Sequence, residues 1–165
     1  MTNDYNYVDL GLPSGTLWAT CNVGAQKPTD SGYFIAWGET EPKDFFTREN
    51  HTPTDMKRKG QTLDLEDDAA HAIMGGDWRM PTVEEIRELI NGTRSIKRRG
   101  YILLESITNK NAMIIPEGGF KSQEKIYQQG LSFLWASDTP WSLLNKFVHA
   151  LIGNSNGTIS LHSYA

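Results

Sequence analysis

The sequence predicts an α+β fold with two helices and short, mostly antiparallel strands, because strand-type stretches at both ends of the chain flank two helical stretches. Short apolar or alternating runs occupy residues 5–40 and the region from about residue 101 onward. Between them, two segments repeat apolar residues three and four positions apart, as amphipathic helices do. With 165 residues and no internal repeat, we expect a single domain over residues 1–165.

In the N-terminal part we expect three strands followed by a loop. YVDLGLPSG predicts a strand and a turn, TLWATCNVG a second strand with period-two alternation, and YFIAWGE a third. Residues 41–62 are polar and contain two prolines, which predicts a surface loop. Cys21 is the only cysteine, which excludes an internal disulfide, and we expect it to be a small buried residue.

The first predicted helix covers residues 64–74. Asp64 is its expected N-cap, and the acids that follow suit the positive end of the helix dipole. Gly75 suits the position just after the last turn. The buried stripe is predicted to contain Leu65, Ala69, Ala72 and Ile73.

The second predicted helix covers residues 83–90. Thr82 and Glu85 have the T-x-x-E spacing of a capping box, and Asn91-Gly92 is the expected end. The predicted buried stripe contains Ile86, Leu89 and Ile90.

GGDWRMPT, residues 75–82, resembles a catalytic loop but is interpreted as a joint between the two helices. Gly75 and Gly76 would allow positive φ angles where the first helix ends. We expect Trp78 to fill the core and Arg79 to bind a carboxylate or backbone carbonyls.

Beyond residue 100 the chain returns to strand-type segments. The candidates are YILLES, NAMIIP, LSFLWAS, NKFVHALIG and GTISLHS. Lys97-Arg98-Arg99 beside Gly100 is interpreted as a solvated turn. With a net charge of −4 and a pI near 5.5, nucleic acid is not an expected partner.

The sequence contains no membrane-spanning run of about 18 apolar residues. The N-terminus MTNDYNYVDL lacks the basic and apolar regions of a signal peptide. We therefore expect either that no conventional signal exports the protein or that the signal is absent from this chain.

No motif for catalysis or metal binding is recognised. The histidines, His51, His71, His149 and His162, lack metal-ligand spacing. Asp64, Glu66, Asp67 and Asp68 lack the order of a calcium loop, and helix capping explains them. Ser14 and Ser137 have no identifiable base, and Glu39 with Glu41 is interpreted as a solvated pair. We expect no enzymatic activity, no cofactor and no metal.

Residues 138–164 are the candidate ligand-display region, because they combine aromatic and small polar side chains with almost no charge. In GTISLHSY one side of the predicted strand is apolar and the other carries hydrogen-bonding groups. The alternative interpretation is a half-exposed strand without a ligand. The candidate binding residues are Trp141, Asn145, His149, Asn154, Asn156, Thr158, Ser160, His162 and Tyr164.

Four segments together resemble the major paralogous domain family named for Fibrobacter succinogenes, which is common in gut Bacteroidetes. They are YVDLGLPSGTLWATCNVGA, GYFIAWGE, AAHAIMGGDWRMPTVEEIRELI and LWAS, in order from about residue 7 to residue 137. The resemblance implies a C-type lectin-like fold related to that of formylglycine-generating enzymes.

Some proteins of this layout are variable proteins of diversity-generating retroelements, which present a hypervariable C-terminal surface to a ligand. The resemblance therefore implies an extracellular or cell-surface receptor or adhesin for a protein or glycan, or a component of a phage virion. An oligomer is compatible with this. The alternative is a structural or assembly domain of a surface filament or phage fibre.

The chain departs from these relatives in three respects. It ends at Ala165 without their V-R-P-like terminus, so we expect a terminal strand to be missing, through either truncation or divergence. It has a single cysteine, whereas formylglycine-generating enzymes bind copper through several. It also lacks the Glu-Pro-Asn and Trp-Asn-Asp stretches of calcium-dependent lectins, so calcium-dependent sugar binding is not expected.

Overall fold

The computed structural model of the chain describes residues 5–51, 62–138 and 148–164, and, for Val148, His149 and Tyr164, the backbone alone. These residues form two α-helices, a 3₁₀ turn and ten short strands. The helices are α1 (Ala69–Met74) and α2 (Val83–Gly92), with the 3₁₀ turn at Leu65–Asp67. The strands are β1 (Tyr7–Asp9), β2 (Leu17–Ala19), β3 (Thr93–Arg98), β4 (Tyr101–Ser106), β5 (Ala112–Pro116), β6 (Phe120–Ser122), β7 (Lys125–Tyr127), β8 (Ser132–Trp135), β9 (Val148–Gly153) and β10 (Ile159–Tyr164).

The strands form four small sheets, and every pair of strands in the described part is antiparallel. Two sheets have three strands, in the orders β3-β4-β5 and β10-β9-β8. The pairs β1-β2 and β6-β7 form the two smaller sheets. The α+β prediction with two helices is confirmed.

One apolar core joins these elements. Helix α2 contributes Val83, Ile86 and Leu89, each almost fully buried, and packs against β3, β9 and β10. Apolar residues from the N-terminal segment and the two larger sheets complete the cluster. They are Leu10, Leu12, Trp18, Ile102, Leu104, Met113, Ile115, Ala136 and Leu151. Together they hold both three-stranded sheets against one helix.

The second helix follows its sequence signal closely. The Thr82 side chain accepts a hydrogen bond from the Glu85 backbone N–H at 3.2 Å, and the Glu85 carboxylate accepts one from the Thr82 N–H at 2.8 Å. This reciprocal capping box confirms the predicted start. The helix continues through Gly92, two residues past its predicted end.

The first helix differs from its prediction. Residues 65–67 form a 3₁₀ turn, and Asp68, rather than Asp64, caps α1 by accepting the His71 N–H at 3.0 Å. Leu65 is 51% exposed and Ala72 is also exposed, so the predicted buried stripe is wrong for both residues. A helix of only six residues presents too few turns to bury such a stripe.

Two other predictions of strands and turns need correction, and one hairpin was not predicted. The segment YFIAWGE forms no strand, because its contacts are made by side chains and single backbone bonds, such as Trp37 Nε1 to the Ala136 carbonyl at 2.8 Å. Lys97 and Arg98 end strand β3 instead of lying in a turn. The hairpin β6-β7 was not predicted, because its sequence is polar apart from three scattered apolar residues. In the described part of the predicted loop at 41–62, only isolated bridges at Phe46 and Thr62 occur.

Candidate functional site

The predicted display region contains the hairpin of β9 and β10, paired over six positions from Ile159↔Gly153 to Tyr164↔Val148. Its turn is closed by a bond from the Asn154 N–H to the Thr158 carbonyl at 2.8 Å. Strand positions are described for His149 and Tyr164, but their side chains are not. The candidates Trp141 and Asn145 lie outside the described residues.

The other five candidates, Asn154, Asn156, Thr158, Ser160 and His162, form a hydrogen-bonded chain that we call the polar row. Asn156 Oδ1 accepts from the Thr158 N–H at 3.0 Å and from the Thr158 hydroxyl at 2.7 Å. Asn154 Nδ2 donates to the Thr158 hydroxyl at 3.0 Å and to the Ser160 hydroxyl at 3.4 Å. The Ser160 hydroxyl lies 2.9 Å from His162 Nε2. These bonds hold the side chains in defined positions.

The opposite side of β10 attaches the polar row to the core. Ile159 and Leu161 are partly buried and pack against the core cluster, whereas Thr158 and His162 are exposed. The predicted alternation along GTISLHSY is confirmed at these positions. The row therefore lies on a strand whose other face is fixed by packing.

The turn of the hairpin is anchored to β3. Gly157 is buried with φ +88°, and a Cβ at this position would lie 2.8 Å from Cβ of Lys97. The ammonium of Lys97 forms an ion pair with Glu117, whose side chain is only 7% exposed. Lys97, which was predicted to lie in a solvated turn, thus supports the hairpin of β9 and β10.

Cross-strand register places aromatic residues on the same sheet face as Ser160 and His162. Phe133 pairs with Ile152, which pairs with Ser160, and Trp135 pairs with Ala150, which pairs with His162. Directly paired residues share a face of an antiparallel sheet. Ile152 and Ala150 are 4% and 1% exposed, so a buried central strand separates the polar row from the aromatic residues.

Those aromatic residues belong to a second surface, which sequence reasoning missed. Phe120 stacks on Tyr127 with ring centroids 5.7 Å apart and meets Phe133 edge-on at 5.3 Å. Trp135 follows two residues beyond Phe133 on the same side of β8. We call Tyr127, Phe120, Phe133 and Trp135 the aromatic strip; only the spacing of Phe133 and Trp135 was visible as a sequence signal.

Three residues of the aromatic strip, Phe120, Phe133 and Trp135, line a crevice of about 2230 Å³. Its walls include strand β2, the loop at 75–81, the segment at 33–37 and strand β8. Trp135 is fixed at the rim, because its indole N–H donates to the Ile35 carbonyl at 3.2 Å. Tyr33 and Tyr7, which also line the crevice, are 52% and 61% exposed. Such a volume exceeds that of ordinary small-molecule pockets.

The loop GGDWRMPT, residues 75–82, connects α1 to α2 and is fixed by contacts with neighbouring residues. Gly75 and Gly76 have φ angles of +71° and +58°, as expected. The buried carboxylate of Asp68 accepts the Met80 N–H at 2.8 Å. Trp78, however, is half-buried and contacts Tyr5 edge-on at 6.4 Å, so its assignment to the core is wrong. Trp78 also lines the crevice.

Arg79 forms the expected carboxylate contact. Its guanidinium donates to both Glu85 oxygens, at 2.8 Å and 2.5 Å. The side-chain hydrogen bond with Glu85 raises the pKa of Arg79 further above its usual value. Burial alone would raise the pKa of Glu85, but the hydrogen bonds from Arg79 and from the Thr82 N–H outweigh it, and this pKa is lowered. Both side chains are charged, and their hydrogen bonds include those made with each other and with the start of α2.

The other residues considered for catalysis are buried or half-buried, or make contacts that stabilise the fold. Ser14 donates its hydroxyl and its N–H to the carboxylate of Glu88, at 2.5 Å and 2.8 Å. Ser137 is fully buried. Glu39 is 8% exposed and pairs with Lys43 at 2.7 Å, so the predicted solvated pair with Glu41 is wrong for Glu39. Cys21 is half-buried, not buried as predicted, and its sulfur forms no disulfide.

Three carboxylates converge at the 3₁₀ turn before α1. Oxygens of Asp64, Glu66 and Asp67 lie within 4.8 Å of one another, in exposed to half-buried positions. Acids at the start of a helical segment are also stabilised by its dipole. The cluster therefore has an explanation that requires no ion.

Within the described ranges, none of the helices has the length and apolar character needed to cross a membrane. The chain was compared with family models, with curated proteins and with solved structures, and none of the three comparisons gave a match.

Proposed function

We propose that this chain is a non-catalytic binding domain that presents the polar row of its C-terminal hairpin to an extracellular protein or glycan. The observation that carries the proposal is the hydrogen-bonded chain from Asn156 to His162 on a strand whose opposite face packs into the core. Side chains ordered before binding lose less conformational entropy in a complex, which favours affinity.

We propose further that the α+β architecture is C-type lectin-like and that a retroelement diversifies residues 138–164. Exposed side chains such as Asn156, Thr158 and His162 support this, because their replacement leaves the core side of the hairpin unchanged. Sequencing the flanking DNA tests the idea. A reverse transcriptase with a near-copy of this region that differs at adenines is expected, and its absence contradicts diversification.

The binding proposal is tested on an array of mucin and extracellular-matrix glycoproteins. The variant carries N156A, T158A and H162A, and the control carries R94A and E105A on the β3-β4 hairpin. Wild type and control should bind the same glycoproteins, and the variant should lose about tenfold or more in affinity. All three should unfold at similar temperatures, because the replaced side chains are not in the core.

The proposal is contradicted if the wild type retains no glycoprotein, or if the triple variant binds as tightly as the wild type. Light scattering over a range of concentrations covers the alternative of an assembly domain. A stable oligomer that the three hairpin substitutions disrupt would favour assembly over ligand display.

A further inference from the structure

We propose that the aromatic strip and the crevice beside it bind an oligosaccharide chain, at a site separate from the polar row. The proposal rests on three features of this surface: a row of exposed rings, a large crevice, and donors among the residues that line the crevice.

The rings are arranged as a row. Tyr127, Phe120 and Trp135 are 43%, 37% and 37% exposed. Phe133 contacts Phe120 edge-on and shares its side of β8 with Trp135. Exposed aromatic residues in such a group mark an interaction site more often than isolated apolar residues do. The faces of aromatic rings are electron-rich, so they attract the polarised C–H groups on the flat faces of sugar rings.

The crevice adds hydrogen-bond donors. Trp18 lines it and is 8% exposed, and its indole N–H has no acceptor among the described residues. A buried donor without an acceptor is costly, which favours an occupant that brings oxygen atoms. Arg48 also lines the crevice and is exposed. The ammonium of Lys121 lies 5.8 Å from the ring centre of Phe46 and donates to the Lys43 carbonyl at 3.4 Å.

This combination favours a sugar chain over other ligands. A purely apolar ligand would bring no acceptor for the N–H of Trp18 or for the guanidinium of Arg48. Nucleic acid requires many cations along its phosphates, and the chain carries a net charge of −4. An oligosaccharide supplies flat C–H faces for the rings and hydroxyl or carboxyl oxygens for the donors.

The site is independent of the proposed display surface. The buried residues Ala150 and Ile152 lie between the aromatic strip and the polar row on the sheet. Substitutions in one surface should therefore leave the other intact, and the two proposals can fail separately.

The test uses the full chain on an array of natural neutral and acidic oligosaccharides, followed by titration of any oligosaccharide that is retained. Tryptophan fluorescence should shift on binding, because Trp135 lies at the rim. W135A should lower the affinity about tenfold or more, whereas W135F should retain most of it. Y127A replaces an exposed ring and provides a variant whose folding does not depend on the indole bond to Ile35. The double variant with R94A and E105A, on the β3-β4 hairpin, serves as the matched control and should bind these sugars like the wild type.

Three results would overturn the proposal. One is that no oligosaccharide is retained by the folded wild type. Another is that W135A and Y127A bind sugars as well as wild type. The third is that these substitutions abolish self-association or peptide binding instead, which would assign the strip to a protein partner.

Discussion

The guanidinium of Arg79 and the carboxylate of Glu85 form a bidentate ion pair between the joint at 75–82 and the first turn of α2. The same carboxylate accepts the Thr82 N–H of the capping box. The motif that most resembles an active site is thus bound to the helix that organises the core.

The lowered pKa of Glu85 predicts a dependence of stability on pH. The stabilisation by its charged form is complete above the ordinary glutamate value of 4.5 and is lost as the pH falls through the lower folded value. At pH 7, E85Q should lower the free energy of unfolding by about 1–3 kcal/mol. Urea unfolding at several pH values should give a constant difference from wild type down to about pH 4.5, and a shrinking one below it. A difference that persists undiminished under acid would contradict this.

The substitution W78A tests the half-buried position of Trp78. W78A should cost about 2 kcal/mol, less than the 3–5 kcal/mol typical of a fully buried tryptophan. The smaller loss follows because part of the ring is already in water. Thermal unfolding measures this loss of stability. A loss near about 5 kcal/mol would indicate that Trp78 is fully buried and would contradict its half-buried position.

The buried position of Gly157 predicts that G157A lowers the free energy of unfolding more than G100A does. Gly157 and Gly100 have similar positive φ angles, +88° and +85°, but only Gly157 lacks space for a Cβ. G100A should cost about 1 kcal/mol from backbone strain alone, and G157A about 2–4 kcal/mol from strain and the contact with Lys97. Equal losses in chemical denaturation would mean that the turn does not pack closely on β3.

Two buried serines give a second matched pair. Ser106 donates its hydroxyl to the Leu10 carbonyl at 2.6 Å and accepts the Thr108 N–H at 3.1 Å, whereas the Ser132 hydroxyl has no partner among the described residues. S106A should therefore cost about 1–3 kcal/mol, and S132A should be neutral or slightly stabilising. A larger loss for S132A than for S106A, measured by urea unfolding, would contradict the assigned bonds.

Local signals in the sequence predicted local structure well. The capping box at Thr82 and Glu85 depends on residues three apart, and the alternation at Ile159 and Leu161 depends on neighbours in one strand. Both could be identified without knowledge of the fold. The polar row followed from the same alternation, although its internal hydrogen bonds depend on the hairpin turn.

Features that depend on distant partners were missed. Strand β3 contains a single large apolar residue, Ile96, and forms because β4 pairs with it over six positions. The aromatic strip requires the hairpin β6-β7 to lie beside β8. Neither pairing leaves a periodic pattern in the segment itself, so tertiary contacts decide the outcome.

Amide hydrogen exchange, measured for the free chain and for its complex with a glycoprotein retained on the array, tests the display of the polar row most directly. We expect slower exchange for amides between Asn154 and His162 in the complex, with little change in the joint at 75–82. Protection centred on that joint, with an unchanged C-terminal hairpin, would contradict it.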